Sequence, residues 1–154
     1  MKVSENVLKW AMRLYPPLLV QRIWVKKIYK NFRGAEIKIN KTLLTLNFGN
    51  AIFGGTLYTA TDPFYALLFG QIMKQKGYEV SIWLKSASIQ FLKPGRTDLY
   101  YTIVITDEMI HEAEREILQS GVFVKSYRIE IFSKMGQLHA IANNELHIRK
   151  KTNI

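Results

Sequence analysis

Between Asn47 and Lys76 the chain reads NFGNAIFGGTLYTATDPFYALLFGQIMKQK. The glycine pair Gly54-Gly55 leads into a long apolar run with one carboxylate, Asp62, and the run closes on Lys74, Lys76 and Gly77. Nearly everything downstream carries the two-residue period of strands. A single apolar helix followed by long strands implies a sheet wrapped around that helix, and this is where a site is expected.

The chain of 154 residues is read as one domain, with enough length to bury a core. It contains no cysteine, which excludes disulfides and Cys-based metal or nucleophile chemistry. His111, His139 and His147 show no close metal-ligand spacing, so no metal site is expected. The formal net charge of +10 favours an anionic partner without naming it. Neither a nucleic-acid-binding motif nor basic residues interleaved with aromatics on one face is evident, so nucleic acid is not expected as a partner. Pro16-Pro17 interrupts the apolar segment near the N-terminus, and no apolar stretch reaches spanning length; the expectation is a soluble, cytoplasmic chain.

In chain order, Val3, Val7, Trp10 or Ala11, and Leu14 are spaced as on one face of a first helix, with Ser4 or Asn6 as its cap. Pro17 suits the first position of a second helix, LLVQRIWVKKIYKNF, ending near Gly34. That helix would bury Leu18 or Leu19, Ile23 and Ile28 and show Arg22, Lys26, Lys27 and Lys30 to water. Such a basic amphipathic helix could touch a membrane through 17–33, but a helix packed across the domain is the preferred reading. Residues 35–48 alternate as a half-buried strand whose phase shifts near Lys41-Thr42.

Tyr78 to Lys93 forms a long strand whose inward phase changes from Val80, Ile82 and Leu84 to Ala87, Ile89 and Phe91. One extra residue near Lys85-Ser86 would cause this, and a bulge there bends the strand. After a Lys93-Pro94-Gly95-Arg96 turn come a strand over 99–106 and a helix capped by Asp107 and ended by Gly121. Two further strands follow, over 122–132 and 138–148. The sum is an α+β domain.

This order, together with Phe53-Gly54-Gly55, Thr61-Asp62 and Ser88-Ile89-Gln90-Phe91-Leu92-Lys93-Pro94-Gly95, resembles the hotdog-fold thioesterases of the PaaI-like type. The resemblance covers roughly residues 35 to 149. It implies an antiparallel sheet of five to six strands around a central helix, here with two extra N-terminal helices. A single hotdog domain would span 1–154, divided into an N-terminal helical extension, 1–34, and a core, 35–149. The family pairs two sheets edge to edge, so a homodimer, or a homotetramer made of two dimers, is implied.

The resemblance also implies roles. A backbone N–H at Gly54, with Gly55 beside it, would polarise the thioester carbonyl. Glycine lets the acyl group approach the backbone, and the helix's positive end favours developing negative charge. Asp62 would act as general base or nucleophile across the dimer interface, with Asn47 orienting water or the carbonyl. Phe53 stands where the family has a histidine. Phe53, Tyr58 and Tyr65 are candidates to line the substrate pocket; Lys85, Ser86 and Arg96 are candidates to contact the rest of the substrate. Asp62-Pro63 carries a second meaning, because Asp before Pro is also a helix-start signal, with the carboxylate as cap. The expected function is hydrolysis of an acyl-coenzyme A or related acyl thioester, with coenzyme A part of the substrate and no other cofactor. The alternative is a non-catalytic hotdog module that binds an acyl chain or acyl-coenzyme A.

Overall fold

The computed structural model describes residues 3–151. Ser4 caps α1 (Glu5–Leu14), its hydroxyl accepting from the Val7 N–H at 3.3 Å. The helix buries Leu8 and Met12, and Val7, Trp10 and Leu14, the expected inner face, lie exposed. The second helix is also not as read. α2 (Pro16–Val20) has five residues, and the chain then turns through Arg22 into strand β1 (Ile23–Ile28). β1 buries Ile23, Val25 and Ile28 and pairs antiparallel with β2 (Gly34–Ile39).

β2 ends at Ile39, so the strand expected to reach Phe48 stops nine residues short. Residues 40–50 form turns instead, with one isolated bridge between Leu46 and Ile52. Leu44 and Phe48 of the expected alternation are exposed, since among the described residues no strand lies alongside to cover them.

The central element is α3 (Gly54–Thr61) followed by α4 (Pro63–Gln75). β3 (Val80–Phe91), β4 (Leu99–Val104), α5 (Asp107–Ser120), β5 (Val122–Ser133) and β6 (Leu138–Lys150) complete the fold. The cap of α5 is Thr106 rather than Asp107, its hydroxyl accepting from Met109 N–H, and Gly121 ends the helix at φ 77° as its position requires.

The six strands form one antiparallel sheet in the order β1-β2-β4-β5-β6-β3. Its inner face carries Ile37, Tyr101, Ile129, Ile131 and Ala142 against Phe64, Leu68, Phe69 and Met73 of α4, all in one buried cluster. The register of β3 on β6 shifts between Leu84 and Ser86, which is the bulge the phase change demanded. β3 is an edge: β6 covers one side, and among the described residues no strand covers the other. β4 meets β5 through only two residue pairs, Leu99 with Ser133 and Tyr100 with Phe132, so the sheet is open along its middle beyond Tyr100.

Candidate active site

The segment before α3 is a small knot of backbone bonds that fixes where the helix begins. Asn47 Oδ1 accepts from the N–H groups of Gly49 (2.9 Å) and Ala51 (3.1 Å). Ile52 N–H donates to the Gly95 carbonyl at 2.9 Å, and Phe53 N–H to the Thr45 carbonyl at 2.7 Å. Arg96 Nη1 donates to the Gly49 carbonyl at 2.9 Å and pins the turn from outside. With Phe53 tied down and Thr56 N–H donating to the Phe53 carbonyl, the N–H groups of Gly54 and Gly55 are left without partners among the described residues. Two N–H groups without partners at a helix start, with the helix dipole behind them, are of the kind that can stabilise negative charge.

Gly54 opens on a cavity of about 340 Å3 that also involves Asn47, Leu57, Phe91 and the 93–95 turn. A Cβ on Gly54 would stand 3.0 Å from the Phe91 ring, so glycine keeps this approach open. The ring of Phe53 lies across Gly55, where a Cβ would meet it at 2.4 Å. The motif position occupied by histidine in the family therefore holds an exposed apolar cover over the second glycine.

Asp62 sits where α3 gives way to α4. Its backbone is helical (φ −59°, ψ −60°), and its side chain accepts no capping hydrogen bond. The helix start read from Asp-Pro is present, α4 beginning at Pro63, but the carboxylate as its cap is corrected: the backbone stays helical through Asp62 and one bond is lost at Pro63, which lacks an N–H. Three side chains serve the carbonyls around this break. Thr61 Oγ1 donates to the Tyr58 carbonyl at 2.9 Å, the Tyr101 hydroxyl to that of Ala60, and Asn144 Nδ2 to that of Thr61 at 2.8 Å. The Asp62 carboxylate has no ion pair among the described residues. The residue is solvent-accessible, yet the protein crowds the carboxyl enough that desolvation raises its pKa above the ordinary carboxylate value.

Eight residues separate Gly54 from Asp62, roughly 12 Å along a helix. Within one copy the carboxylate and the free N–H groups therefore do not share a reacting atom. Asn47 joins the Gly54 cavity; Arg96 supports its loop from outside. Tyr65 is not at the cavity. It is buried, stacked on Tyr127 with ring centroids 4.6 Å apart, and its hydroxyl pKa is pushed up to about 12 by burial. Tyr58 is exposed on α3. Lys85 and Ser86 lie at the β3 bulge, where both reach Glu145, at 3.3 Å and 3.4 Å. Asn144 and Tyr101 are contributors that the sequence reading did not single out, and Phe91, read only as part of the strand motif, borders the cavity. Asn144 had a signal: it interrupts the inward series Ala140, Ala142, Leu146, Ile148 with a buried polar group.

No protein-family model and no curated protein matches the sequence. Solved structures do match. A protein from Pseudomonas aeruginosa termed a probable thioesterase superposes with a TM-score of 0.81 at 13% identity, over 98% of this chain and 99% of its own. A thioesterase from Haemophilus influenzae gives 0.69 at 10% identity, over 97% and 93%. The PaaI protein of the phenylacetic acid degradation operon of E. coli gives 0.61 at 18% identity, over 98% and 99%.

The chain has the hotdog fold.

The resemblance drawn from the glycine pair, Thr61-Asp62 and the Ser88-to-Gly95 motif is met at the level of architecture. The helix that the sheet packs against is α3–α4. Among the described residues no helix is long and apolar enough to cross a membrane.

Proposed function

We propose that this hotdog chain is an acyl-coenzyme A thioesterase whose site is shared between two copies. The observation that carries the reading is that Gly54, whose N–H has no partner among the described residues, lines the 340 Å3 cavity, with the equally unpartnered N–H of Gly55 next to it in the chain. The thioester carbonyl oxygen accepts from Gly54 N–H. Asp62 of the second copy takes a proton from water as the water oxygen attacks the carbonyl carbon, and the oxyanion forms where the N–H groups point. Collapse breaks the C–S bond and expels the coenzyme A thiolate, which recovers the proton. Direct attack by the Asp62 carboxylate, followed by hydrolysis of the anhydride, is the other route this geometry serves. Asn47 keeps its Oδ1 in the loop, and its amide nitrogen, without a partner among the described residues, can donate to water or the carbonyl.

The open edge of β3 is where a second copy would extend the sheet, giving a homodimer that can pair again into a tetramer. Phe53 and Tyr58 are exposed near the start of α3 and suit an apolar acyl group; Arg96, Lys85 and Ser86 are assigned to the more distant, polar part of the substrate. The thioesterases among the structural matches support the reaction class. The test is hydrolysis of short, long-chain and aromatic acyl-coenzyme A esters by wild type and Asp62→Asn. Turnover that collapses in the variant supports the reading. Saturable binding by both proteins without turnover replaces it with a binding module.

A further inference from the structure

The helix expected over 17–33 does not form, yet two of its cations, Arg22 and Lys26, meet Arg13 of α1 on one surface. α1, α2, the outer side of β1–β2 and the 40–44 turn enclose an open groove of about 860 Å3. Arg13, Arg22 and Lys26 line it together with Trp24, Leu43 and Leu44. Lys38 also borders it but is paired with Asp98 at 2.9 Å, whereas the other three cations have no carboxylate partner among the described residues. Leu43 is 91% exposed and Leu44 65%, both at the rim, and Leu14 and Val20 of the adjoining helices are exposed as well.

Two features hold the cations in place. Arg13 Nε donates to the Val25 carbonyl at 2.8 Å, and its guanidinium lies 4.6 Å and 4.2 Å from the ring centroids of Trp10 and Trp24. Arg22 has φ 55°, a left-handed backbone that favours glycine, and both Asn40 N–H (3.1 Å) and Nδ2 (2.8 Å) donate to its carbonyl. An arginine kept on such a backbone argues for a use of its side chain.

We propose that this face rests on an anionic lipid bilayer, with Leu43 and Leu44 entering the headgroup region and Arg13, Arg22 and Lys26 among the lipid phosphates. Protruding leucines ringed by unpaired cations match the two attractions of such a surface, apolar burial and charge. A single amphiphile would keep most of its chain in water in so open a groove. Nucleic acid would need free aromatic faces, and Arg13 already covers both tryptophans. A second copy on this face would bring like charges together. The proposal is independent of the thioesterase reading.

The test is flotation of the full chain with vesicles of phosphatidylcholine alone or with about one-third phosphatidylglycerol. We expect at least tenfold stronger partition onto the anionic vesicles, most of it lost at about 1 M salt. Arg22→Glu with Lys26→Glu should weaken partition by roughly 30-fold or more. Leu43→Ser with Leu44→Ser should abolish the part that resists salt. Lys74→Glu with Lys150→Glu, on other surfaces, changes net charge equally and should retain most binding. Should the double reversal fail to fold, Arg22→Gln with Lys26→Gln replaces it. Equal partition onto neutral vesicles, equal loss in the Lys74/Lys150 control, or no partition at low salt would each overturn the proposal. So would self-association that the leucine variants remove.

Discussion

The side-chain amide of Asn144, on β6, donates to the carbonyl of Thr61 at 2.8 Å, at the residue where α3 ends. Asn144 is 1% exposed, and the next carbonyl back, that of Ala60, accepts from the buried Tyr101 hydroxyl. Burial raises the Tyr101 pKa well above its ordinary value, so that hydroxyl keeps its proton and remains a donor. Pro63 removes one backbone donor, and these side chains serve the helix end it leaves. Asn144→Leu and Tyr101→Phe should therefore each cost about 1–3 kcal/mol, the penalty of a buried carbonyl left unpaired. Denaturant unfolding would measure it; a change below experimental error in both would mean that the break needs no such support.

Asp62→Asn should lower turnover of an acyl-coenzyme A by about 10²- to 10⁴-fold while preserving the fold. The acid limb of kcat/KM in the wild type should lie above the ordinary aspartate value of about 3.9, because desolvation raises the Asp62 pKa. A general base must be ionised, so activity rises with pH through that limb. Stability runs the other way. The folded state disfavours the charged carboxylate, so wild type gains stability relative to Asp62→Asn as pH falls through the raised pKa. Thermal melts of the two proteins from pH 7 downward would show the difference closing.

A site shared between copies can be tested by complementation. Gly54→Val places side-chain atoms against Phe91, whose ring already stands 3.0 Å from a Cβ at this position. Gly54→Val and Asp62→Asn should each be inactive alone. After mixing and reassembly, half the dimers are heterodimers with one intact site of two, so about one quarter of wild-type turnover should return. No recovery, with heterodimers shown to form, would place Gly54 and Asp62 of the same chain in one site.

What could be read in the sequence depended on whether a residue's period had one cause. The phase change along Val80 to Phe91 could only be an inserted residue, and the bulge is there. The same device misled in β1. Its register shift between Val25 and Lys27 moves the inward positions to Ile23, Val25 and Ile28, a spacing that no longer alternates and passes for helical. Val7, Trp10 and Leu14 do lie on one helical face, but that face stays exposed rather than packing into the core, and Trp10 meets Trp24 edge-on and the Arg13 guanidinium. The Leu44, Leu46, Phe48 alternation lacked a neighbouring strand, and Asn47 closes a turn there instead. The helix start that Asp-Pro signals is there, since α4 begins at Pro63, but the Asp62 carboxylate does not cap it; the residues that serve the carbonyls at this break, Tyr101 and Asn144, lie 41 and 83 residues from them. Local sequence does not carry that information.

Asp98 should give the fold a measurable acid sensitivity. Burial would raise its pKa, but hydrogen bonds from Lys38 Nζ and the Lys41 N–H outweigh this and lower it. A lowered pKa stabilises the ionised folded state, fully so above the unfolded value near 3.9 and progressively less as pH falls below it. Asp98→Asn should flatten the stability curve below about pH 4 and loosen the 40–45 turn. Hydrogen exchange at the Lys41 amide would register the second effect directly.

The opening between β4 and β5 gives the broken helix a further significance. With two residue pairs joining them, β1-β2-β4 and β5-β6-β3 form two leaves joined along one edge. Tyr101 belongs to one leaf and Asn144 to the other, and they grip neighbouring carbonyls of the same helix end. The break at Pro63 thus works as a rivet through both leaves. Any spreading of the leaves must first pull on the turn of helix that carries Asp62, so the alignment of that carboxylate is tied to the integrity of the whole sheet.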